Sequence, residues 1–231
     1  MNSIRRVLAI GLALVVILSM CALPASASDL TSKLNGDHTE RNLVLIGDSR
    51  TTGMDYAVTG NNIVATIRID RYGTWSAQGG ARYEWFRDTG IPRAKKYLKK
   101  NTSVIILMGY NDIAAHSAKP SQYYNLINKK AAAWKKYGVD VYYVSVNPAG
   151  SVRNCPAKYE RRNKQIENWN KKMKKGLSDD VTYIDIYDRI KRNFTTVDNI
   201  HYDDDTYCKI YNLIIARINL AHPTQYREFA D

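Results

Sequence analysis

Three short polar motifs in the sequence contain the residue types that acyl-transfer chemistry needs. Ser49 lies in a Gly-Asp-Ser-Arg motif, Asn111 lies in a Gly-Tyr-Asn-Asp motif, and His201 follows Asp198 by three residues. A serine hydroxyl becomes a good nucleophile only when a base within hydrogen-bond reach accepts its proton, and His201 is the candidate base. Asp198 can accept the second ring proton of the histidine, which orients the ring and stabilises its charged form.

The same motifs could also hold the negative charge that develops during acyl transfer. An oxyanion needs N–H donors that are already in place. The backbone amide of Ser49, a glycine amide and the side-chain amide of Asn111 could supply them, which would complete an acyl-transfer site. Each residue also has a structural interpretation: Ser49 could cap a helix, Asn111 could be a turn residue, and for Asp112 we prefer the role of helix cap.

Short apolar runs that end at turn residues predict the strands that would position these motifs. Four such runs are rich in β-branched residues, and a fifth is weaker. They cover residues 42–46, 103–108, 139–146 and 181–187, with the weaker one at 63–69. The serine motif follows the first run directly, and the asparagine motif follows the run at 103–108.

Apolar residues at helical spacing alternate with these strands. The three stripes are Tyr124, Ile127, Ala131 and Trp134; then Ile166, Trp169 and Met173 within 157–175; and Ile210, Leu213, Ile214 and Ile218. Strands that alternate with helices predict one three-layer α/β domain, in which helices cover both faces of a parallel sheet. Functional groups in such domains gather at the carboxyl ends of the strands, where two of the three motifs fall.

The motifs resemble those of the SGNH/GDSL hydrolase superfamily, and the resemblance runs from Asn42 to about Ile218. It implies a flavodoxin-like fold with a five-stranded parallel sheet in the order 2-1-3-4-5. It implies a Ser49, Asp198 and His201 triad, and neither a metal nor a cofactor. Arg50 and the Gly-Gly-Ala-Arg-Tyr-Glu-Trp stretch at 79–85 resemble an exported subgroup from Gram-positive bacteria. We assign Gly80 as the oxyanion glycine, with Gly79 as the alternative.

Further side chains near the motifs are candidates for binding a substrate. Arg50 and Arg82 could each hold an anionic group of the substrate, or instead form a structural salt bridge. Aromatic residues near the proposed oxyanion donors could form a platform that stacks on a sugar, or could belong to the core. These aromatic residues are Trp75, Tyr83, Trp85 and Tyr110.

The first 27 residues have the pattern of a signal peptide, and residues 28–231 form the predicted single catalytic domain. Arg5 and Arg6 precede an apolar run at 7–23, and Ala25-Ser26-Ala27 supplies the small residues of a cleavage site. We expect cleavage after Ala27, with no stable membrane span afterwards. An uncleaved N-terminal anchor is the alternative, because the run is only slightly shorter than a membrane span.

The chain is strongly basic after removal of this leader. Of 34 Lys and Arg residues two lie in the leader, and none of the 22 acidic residues do, so 32 positive and 22 negative residues leave a net charge of +10. Such a charge favours an anionic cell-wall polymer as partner before nucleic acid, although solvated lysine-rich helices would explain it equally well. Cys155 and Cys208 remain, and an even count in an exported chain permits a disulfide.

These observations together predict a secreted or wall-associated carboxylic-ester hydrolase. We expect it to remove acetyl or other short acyl groups from a cell-wall or environmental polysaccharide, or from another small ester. A lipid acylhydrolase or lysophospholipase, an acyltransferase and a non-catalytic cell-surface binding protein are the alternatives.

Overall fold

The predicted apolar runs form a single sheet. A computed structural model describes residues 41–60, 68–153 and 155–222. The strands are β1 (Asn42–Gly47), β2 (Arg68–Asp70), β3 (Gly73–Ala77), β4 (Thr102–Leu107), β5 (Val139–Val144) and β6 (Val181–Ile184). Their spatial order is β2-β3-β1-β4-β5-β6, and all neighbours are parallel except β2 and β3.

The order of the parallel strands agrees with the prediction, and the strand count does not. The strands β3-β1-β4-β5-β6 lie in the order 2-1-3-4-5 when only parallel strands are numbered, which confirms the expected arrangement. The sixth strand, β2, was not expected. It forms an antiparallel hairpin with β3, and the Asp70 side chain accepts the N–H groups of Tyr72 and Gly73 in the turn.

The weak strand predicted at 63–69 shares its last two residues with the antiparallel strand β2, and it is not the second parallel strand of the sheet. Residues 61–67 lie outside the described residues, and the second parallel strand is β3. This strand has no apolar run because its buried positions include Thr74 and Ser76. Ser76 satisfies its hydroxyl by donating to the carbonyl oxygen of Gly90 at 3.2 Å, so a polar side chain is accommodated in the interior.

Helices follow the strands in the predicted alternation. They are α1 (Ser49–Thr59), α2 (Tyr83–Trp85), α3 (Ile91–Lys95), α4 (Tyr110–Ala115), α5 (Pro120–Lys135), α6 (Ala157–Gly176), α7 (Tyr187–Ile190) and α8 (Asp204–Ala221). A π-helical turn, Phe86–Gly90, joins α2 to α3. No helix in the described part of the chain is both long and apolar enough to cross a membrane.

Alternate residues of the central strands bury opposite faces of the sheet. Val44 and Ile46 belong to one core cluster, which is covered by α2, α3, α5 and α6. Leu43 and Leu45 belong to the other, which is covered by α1 and α8. Side chains of a strand point alternately to its two faces, so both faces must be covered, and the fold has the three predicted layers.

The predicted helical stripes form the buried sides of α5, α6 and α8. The whole stripe of α6 is buried, while two predicted members elsewhere, Tyr124 and Leu213, are only partly buried. In α5 the buried aromatic position is Tyr123 instead, which packs between Phe86 and Trp169. The predicted signal peptide at 1–27 lies outside the described residues.

Candidate active site

The turn between β1 and α1 presents Ser49 at the carboxyl edge of the sheet. Ser49 is the first residue of α1. The helix is capped by Asp48 and not by Ser49, because the Asp48 side chain accepts the N–H of Arg50 at 3.0 Å. A Cβ on Gly47 would lie 1.7 Å from Oγ1 of Thr51, so only glycine fits. The amide of Ser49 belongs to the first turn, where N–H groups have no partner within the helix.

Asp48 is buried directly beneath this turn. Its side chain is only 2% exposed. Burial raises the pKa of Asp48 from its usual 3.8 to about 6, and the charge and the amide of Arg50 oppose that rise. The carboxyl group is therefore mainly ionised at neutral pH and becomes protonated in mild acid.

His201 lies between the other two residues of the predicted triad. Its Nε2 atom is 2.9 Å from Oγ of Ser49, and its Nδ1 atom is 2.7 Å from Oδ2 of Asp198. An ionised carboxylate only accepts hydrogen bonds, so Nδ1 carries the proton and Nε2 faces the serine as an acceptor. The structure thus brings together three residues that are up to 152 positions apart in sequence.

Asp198 is held in its ionised form. Its Oδ1 atom accepts the backbone N–H groups of Ile200 and His201 at 2.9 and 2.7 Å. Partial burial tends to raise the pKa of Asp198, but the hydrogen bonds from His201 and Ile200 outweigh that effect and lower the pKa to about 2. The carboxylate can therefore orient the histidine over the whole physiological pH range.

The loop that carries Asp198 and His201 is braced by the loop after β5. Asn199 adopts a left-handed conformation, with φ of 68°, and its carbonyl oxygen accepts the N–H of Gly150 at 2.7 Å. The hydroxyl of Thr196 donates to the carbonyl oxygen of Gly150 at 2.8 Å. These contacts hold the loop on both sides of Asp198, so the position of His201 does not depend on a single contact.

The three residues predicted to supply the oxyanion donors line one cavity. Gly80 and Asn111 line the same cavity as Ser49, and Gly79 does not belong to that lining. Gly80 has φ of 69°, a conformation that glycine adopts without strain. One proton of the Asn111 side-chain amide is donated to the carbonyl oxygen of Ala81 at 3.0 Å, which leaves the second for a ligand.

Asp112 is a buried acceptor and not the helix cap that we predicted. It is fully buried, and it accepts the N–H of Tyr83 and the hydroxyls of Tyr123 and Ser117 at 3.1, 2.6 and 2.7 Å. The prediction was wrong because Asp112 lies within α4 and its side chain accepts from groups that lie outside this helix. Asp112 thereby fixes the start of α2 relative to Asn111.

Of the two roles left open for Arg50, its contacts favour the structural one, which it fills through backbone carbonyl groups. It is buried, and its guanidinium donates to the carbonyl oxygens of Asn147, Pro148 and Ile200 at 2.7, 3.3 and 3.0 Å. It also stacks over the ring of Tyr110, with 3.9 Å to the ring centre. Its donors join the start of α1 to two loops, one of which carries His201.

A cavity of about 340 Å³ opens beside the serine. Of the predicted site residues, Ser49, Gly80, Asn111, His201 and Tyr110 line it. Burial raises the pKa of the Tyr110 phenol, and the charges of Arg50 and Arg162 oppose that rise. The phenol is therefore neutral and available to contact a ligand.

Five other residues that line the cavity were not predicted. They are Ala114, Lys158, Tyr159, Arg162 and Ile200. Three of them lie in the first two turns of α6, within a lysine-rich stretch whose charges could equally be solvated. The signal that could have found them is topological, because a helix that follows a parallel strand begins at the carboxyl edge of the sheet.

Arg82 and most of the four candidate platform residues do not line the cavity, which favours their structural alternatives. Arg82 is exposed and is not among the described residues that line the cavity. Trp75 is buried on the face of the sheet that α1 and α8 cover, where it stacks on Tyr211. Tyr83 is buried in the core, so of the four aromatic residues only Tyr110 reaches the cavity.

The disulfide permitted by the sequence does not form. Cys155 and Cys208 are both free thiols. Sγ of Cys155 lies 4.0 Å from the carbonyl oxygen of Ala149, and Sγ of Cys208 lies 3.6 Å from that of Ala57.

Within residues 41–60, 68–153 and 155–222, no three His, Cys, Asp or Glu side chains are grouped to hold a metal ion.

Comparison with known proteins relates this chain to solved structures. No protein-family model and no curated protein matches it. A GDSL-like lipase from Bacteroides thetaiotaomicron has a TM-score of 0.54 and 17% identity, covering 85% of this chain and 96% of that one. A lipase/acylhydrolase from Enterococcus faecalis has a TM-score of 0.50 and 17% identity, covering 78% and 96%. A carbohydrate esterase family 3 protein from Talaromyces cellulolyticus has a TM-score of 0.50 and 12% identity, covering 78% and 97%.

These likenesses show that the chain has the fold of the SGNH/GDSL hydrolases. The fold prediction made from the motifs is therefore confirmed, with the addition of the antiparallel edge strand β2.

Proposed function

We propose that this protein is a secreted serine esterase that removes short acyl groups, such as acetyl, from a polysaccharide. One observation carries the proposal: His201 contacts Ser49 through one ring nitrogen at 2.9 Å and Asp198 through the other at 2.7 Å. A structural role for these residues would not require a serine, a base and an orienting carboxylate in this sequence of contacts at the mouth of a cavity.

The first half of the reaction transfers the acyl group to the enzyme. Nε2 of His201 accepts the hydroxyl proton of Ser49 while Oγ attacks the carbonyl carbon of the ester. The carbonyl oxygen becomes an oxyanion, to which the amides of Ser49 and Gly80 and the free proton of the Asn111 side chain donate. His201 then gives its proton to the departing alcohol, which leaves an acyl-serine.

The second half repeats these steps with water. His201 accepts a proton from a water molecule, and the hydroxide formed attacks the acyl-serine carbonyl carbon. The same donors hold the second oxyanion, and the returning proton regenerates the Ser49 hydroxyl. Asp198 stays ionised in both halves because its pKa is lowered to about 2, so it stabilises the charged imidazole each time.

The lining of the cavity favours a short acyl group. Among the described residues that line it, Ala114 and Ile200 have aliphatic side chains, and the others are polar, charged or tyrosine, apart from Gly80. A long acyl chain would need an extended apolar wall. The fold alone does not separate the two classes, because its structural neighbours include both lipases and a carbohydrate esterase.

The location outside the cell is part of the proposal. It is supported by the signal-peptide pattern at 1–27 and by the +10 charge of the remaining chain, which suits a partner such as an anionic wall polymer. Detection of a chain that begins at Ser28 in the culture medium or in a wall fraction would support it. A full-length chain confined to the membrane fraction would favour the uncleaved anchor.

The test compares wild type with Ser49→Ala on p-nitrophenyl acetate, acetylated xylan and acetylated peptidoglycan. We expect the substitution to lower kcat by about 10⁴-fold or more, because it removes the nucleophile. A fluorophosphonate probe should label wild type and leave the variant unlabelled. Activity that survives the substitution would contradict the assignment of Ser49, and thermal unfolding of both proteins controls for loss of fold.

The alternatives give different results in the same experiments. A lipid acylhydrolase would prefer p-nitrophenyl esters of long acyl chains to the acetate. A non-catalytic binding protein would resist the fluorophosphonate probe. An acyltransferase would form the labelled serine but would release acetate slowly until a sugar acceptor is added.

A further inference from the structure

The catalytic cavity contains two positive side chains that the proposed reaction does not use. Arg162 and Lys158 both line it, and they project from α6 one turn apart. The described lining residues include no aspartate or glutamate. The cavity beside Ser49 is therefore positive, apart from any charge on the triad.

Arg162 has a donor without an acceptor. Its Nη1 atom is buried, and within the described residues it has no hydrogen-bond partner. Burial of a charged donor without a partner costs free energy, and an acceptor on a bound ligand would offset that cost. Arg50 provides a contrast in the same region, because all three of its guanidinium nitrogens donate to carbonyl oxygens.

The segment that carries Arg162 is fixed against the active site by its neighbours. Asn163 donates to the carbonyl oxygen of Ala149 and accepts its N–H, both at 2.9 Å. Asn170 makes the same pair of bonds with Val146, at 2.8 and 2.9 Å. These bonds hold α6 to the loop after β5 without using Arg162, so the guanidinium is positioned while its buried donor stays unused.

The charge of Arg162 also acts within the cavity itself. It lies close enough to Tyr110 to lower the pKa of that phenol in part, against the larger effect of burial. Tyr110 and Arg162 line the cavity together with the triad histidine. A group bound to Arg162 would therefore lie beside the reacting ester.

We propose that Arg162, with Lys158, binds an anionic group, carboxylate or phosphate, that the substrate carries next to the scissile ester. The inference rests on the proposed esterase function and narrows its substrate to acyl esters of acidic saccharides or of phosphate-bearing polyols. A guanidinium matches both anions through paired N–H donors, and a nearby ammonium adds charge without directional demands.

Two matched pairs of acetyl esters test the inference. The carboxylate pair is 4-acetoxybenzoate and its methyl ester, and the phosphate pair is 1-acetylglycerol 3-phosphate and 1-acetylglycerol. We expect wild type to prefer at least one anionic member. Arg162→Gln should lower kcat/KM on that member by roughly 10- to 100-fold, mainly through a higher KM. On the neutral partner, kcat/KM of the variant should stay within about twofold of wild type.

Two further variants separate charge from structure. Arg161→Gln removes the same charge from the neighbouring exposed position of α6, which does not line the cavity, and it should leave both members of each pair unchanged. Arg162→Lys keeps the charge and loses the paired donors, so it should recover part of the preference. The pair that responds identifies the anion as a carboxylate or a phosphate.

The outcomes distinguish this inference from the proposed function. A wild type that hydrolyses p-nitrophenyl acetate through Ser49 but shows no preference for either anionic ester would overturn the inference alone. An equal loss on charged and neutral esters in Arg162→Gln would also overturn it, because that result indicates a structural role. Equal activity of wild type and Ser49→Ala on p-nitrophenyl acetate would overturn the proposed function and this inference together.

Discussion

Replacement of Arg50 by methionine tests whether this buried arginine positions His201 for the proposed reaction. Methionine replaces the arginine side chain as far as Nε but has no donor, so Arg50→Met leaves the carbonyl oxygens of Asn147, Pro148 and Ile200 without the guanidinium. The last of these carbonyl groups is bonded directly to the nitrogen of His201. Loss of its anchor should therefore loosen the histidine relative to Ser49.

The size of the effect follows from these contacts. Hydrogen bonds from a charged donor contribute about 1.5–3 kcal/mol each, and a desolvated cation–π contact such as that with Tyr110 contributes about 2 kcal/mol. Because the loops can relax and water can reach part of the gap, we expect the free energy of unfolding to fall by about 3 kcal/mol. A displacement of the histidine by about 1 Å would lower kcat by about 100-fold.

The assay measures kcat and KM on p-nitrophenyl acetate, with urea unfolding at the same pH. We expect a loss in kcat with little change in KM. Arg50→Lys keeps the charge but loses the paired donors, so its kcat should lie between those of wild type and Arg50→Met. Arg161 is an exposed arginine on α6, so Arg161→Met is the matched control and should behave as wild type. An unchanged kcat with a raised KM for anionic esters alone would refute this reasoning and restore Arg50 as a substrate-binding residue.

Two other substitutions test the nucleophile turn and the oxyanion donors. Asp48 holds its proton more tightly in the folded state, where its pKa is raised from 3.8 to about 6, so its contribution to stability is full below pH 3.8 and is lost as the pH rises through 6. Between pH 4 and 7, the free energy of unfolding of wild type should therefore fall by about 2 kcal/mol relative to that of Asp48→Asn, and parallel pH profiles would contradict a raised pKa for the buried carboxyl group. Asn111→Ala should lower kcat on p-nitrophenyl acetate by about 10²–10³-fold with little change in KM, while a loss below about threefold would remove Asn111 from the oxyanion site.

The parallel core of the sheet was predictable because its strands are continuous apolar runs. Such runs are required where both faces of a strand are buried, and they stood out in β1, β4, β5 and β6. The strand β3 lacked this signal because Thr74 and Ser76 are buried in it. Polar residues in a core depend on partners elsewhere in the chain, and those partners cannot be identified from the strand itself.

The roles of Arg50 and Arg162 could not be predicted for the same reason, because they depend on partners elsewhere in the chain. Arg50 and Arg162 are the same residue type, and either could bind an anion. The three carbonyl groups that occupy Arg50 lie about 97 to 150 positions away, so its structural role appears only when the loops meet. Arg162 was not considered at all, because a basic helix indicates a solvated surface as readily as a cavity wall.

The sequence by itself was enough to propose the chemistry of this protein. Ser49, Asn111, Asp198 and His201 are residue types whose functional groups are set by their covalent structure, and their positions at predicted strand ends and in the last loop indicated a common site. Only the tertiary structure decided which side chains remain available to a ligand. Availability depends on hydrogen bonds between distant segments, which occupy every guanidinium nitrogen of Arg50 and leave a buried donor of Arg162 without a partner among the described residues.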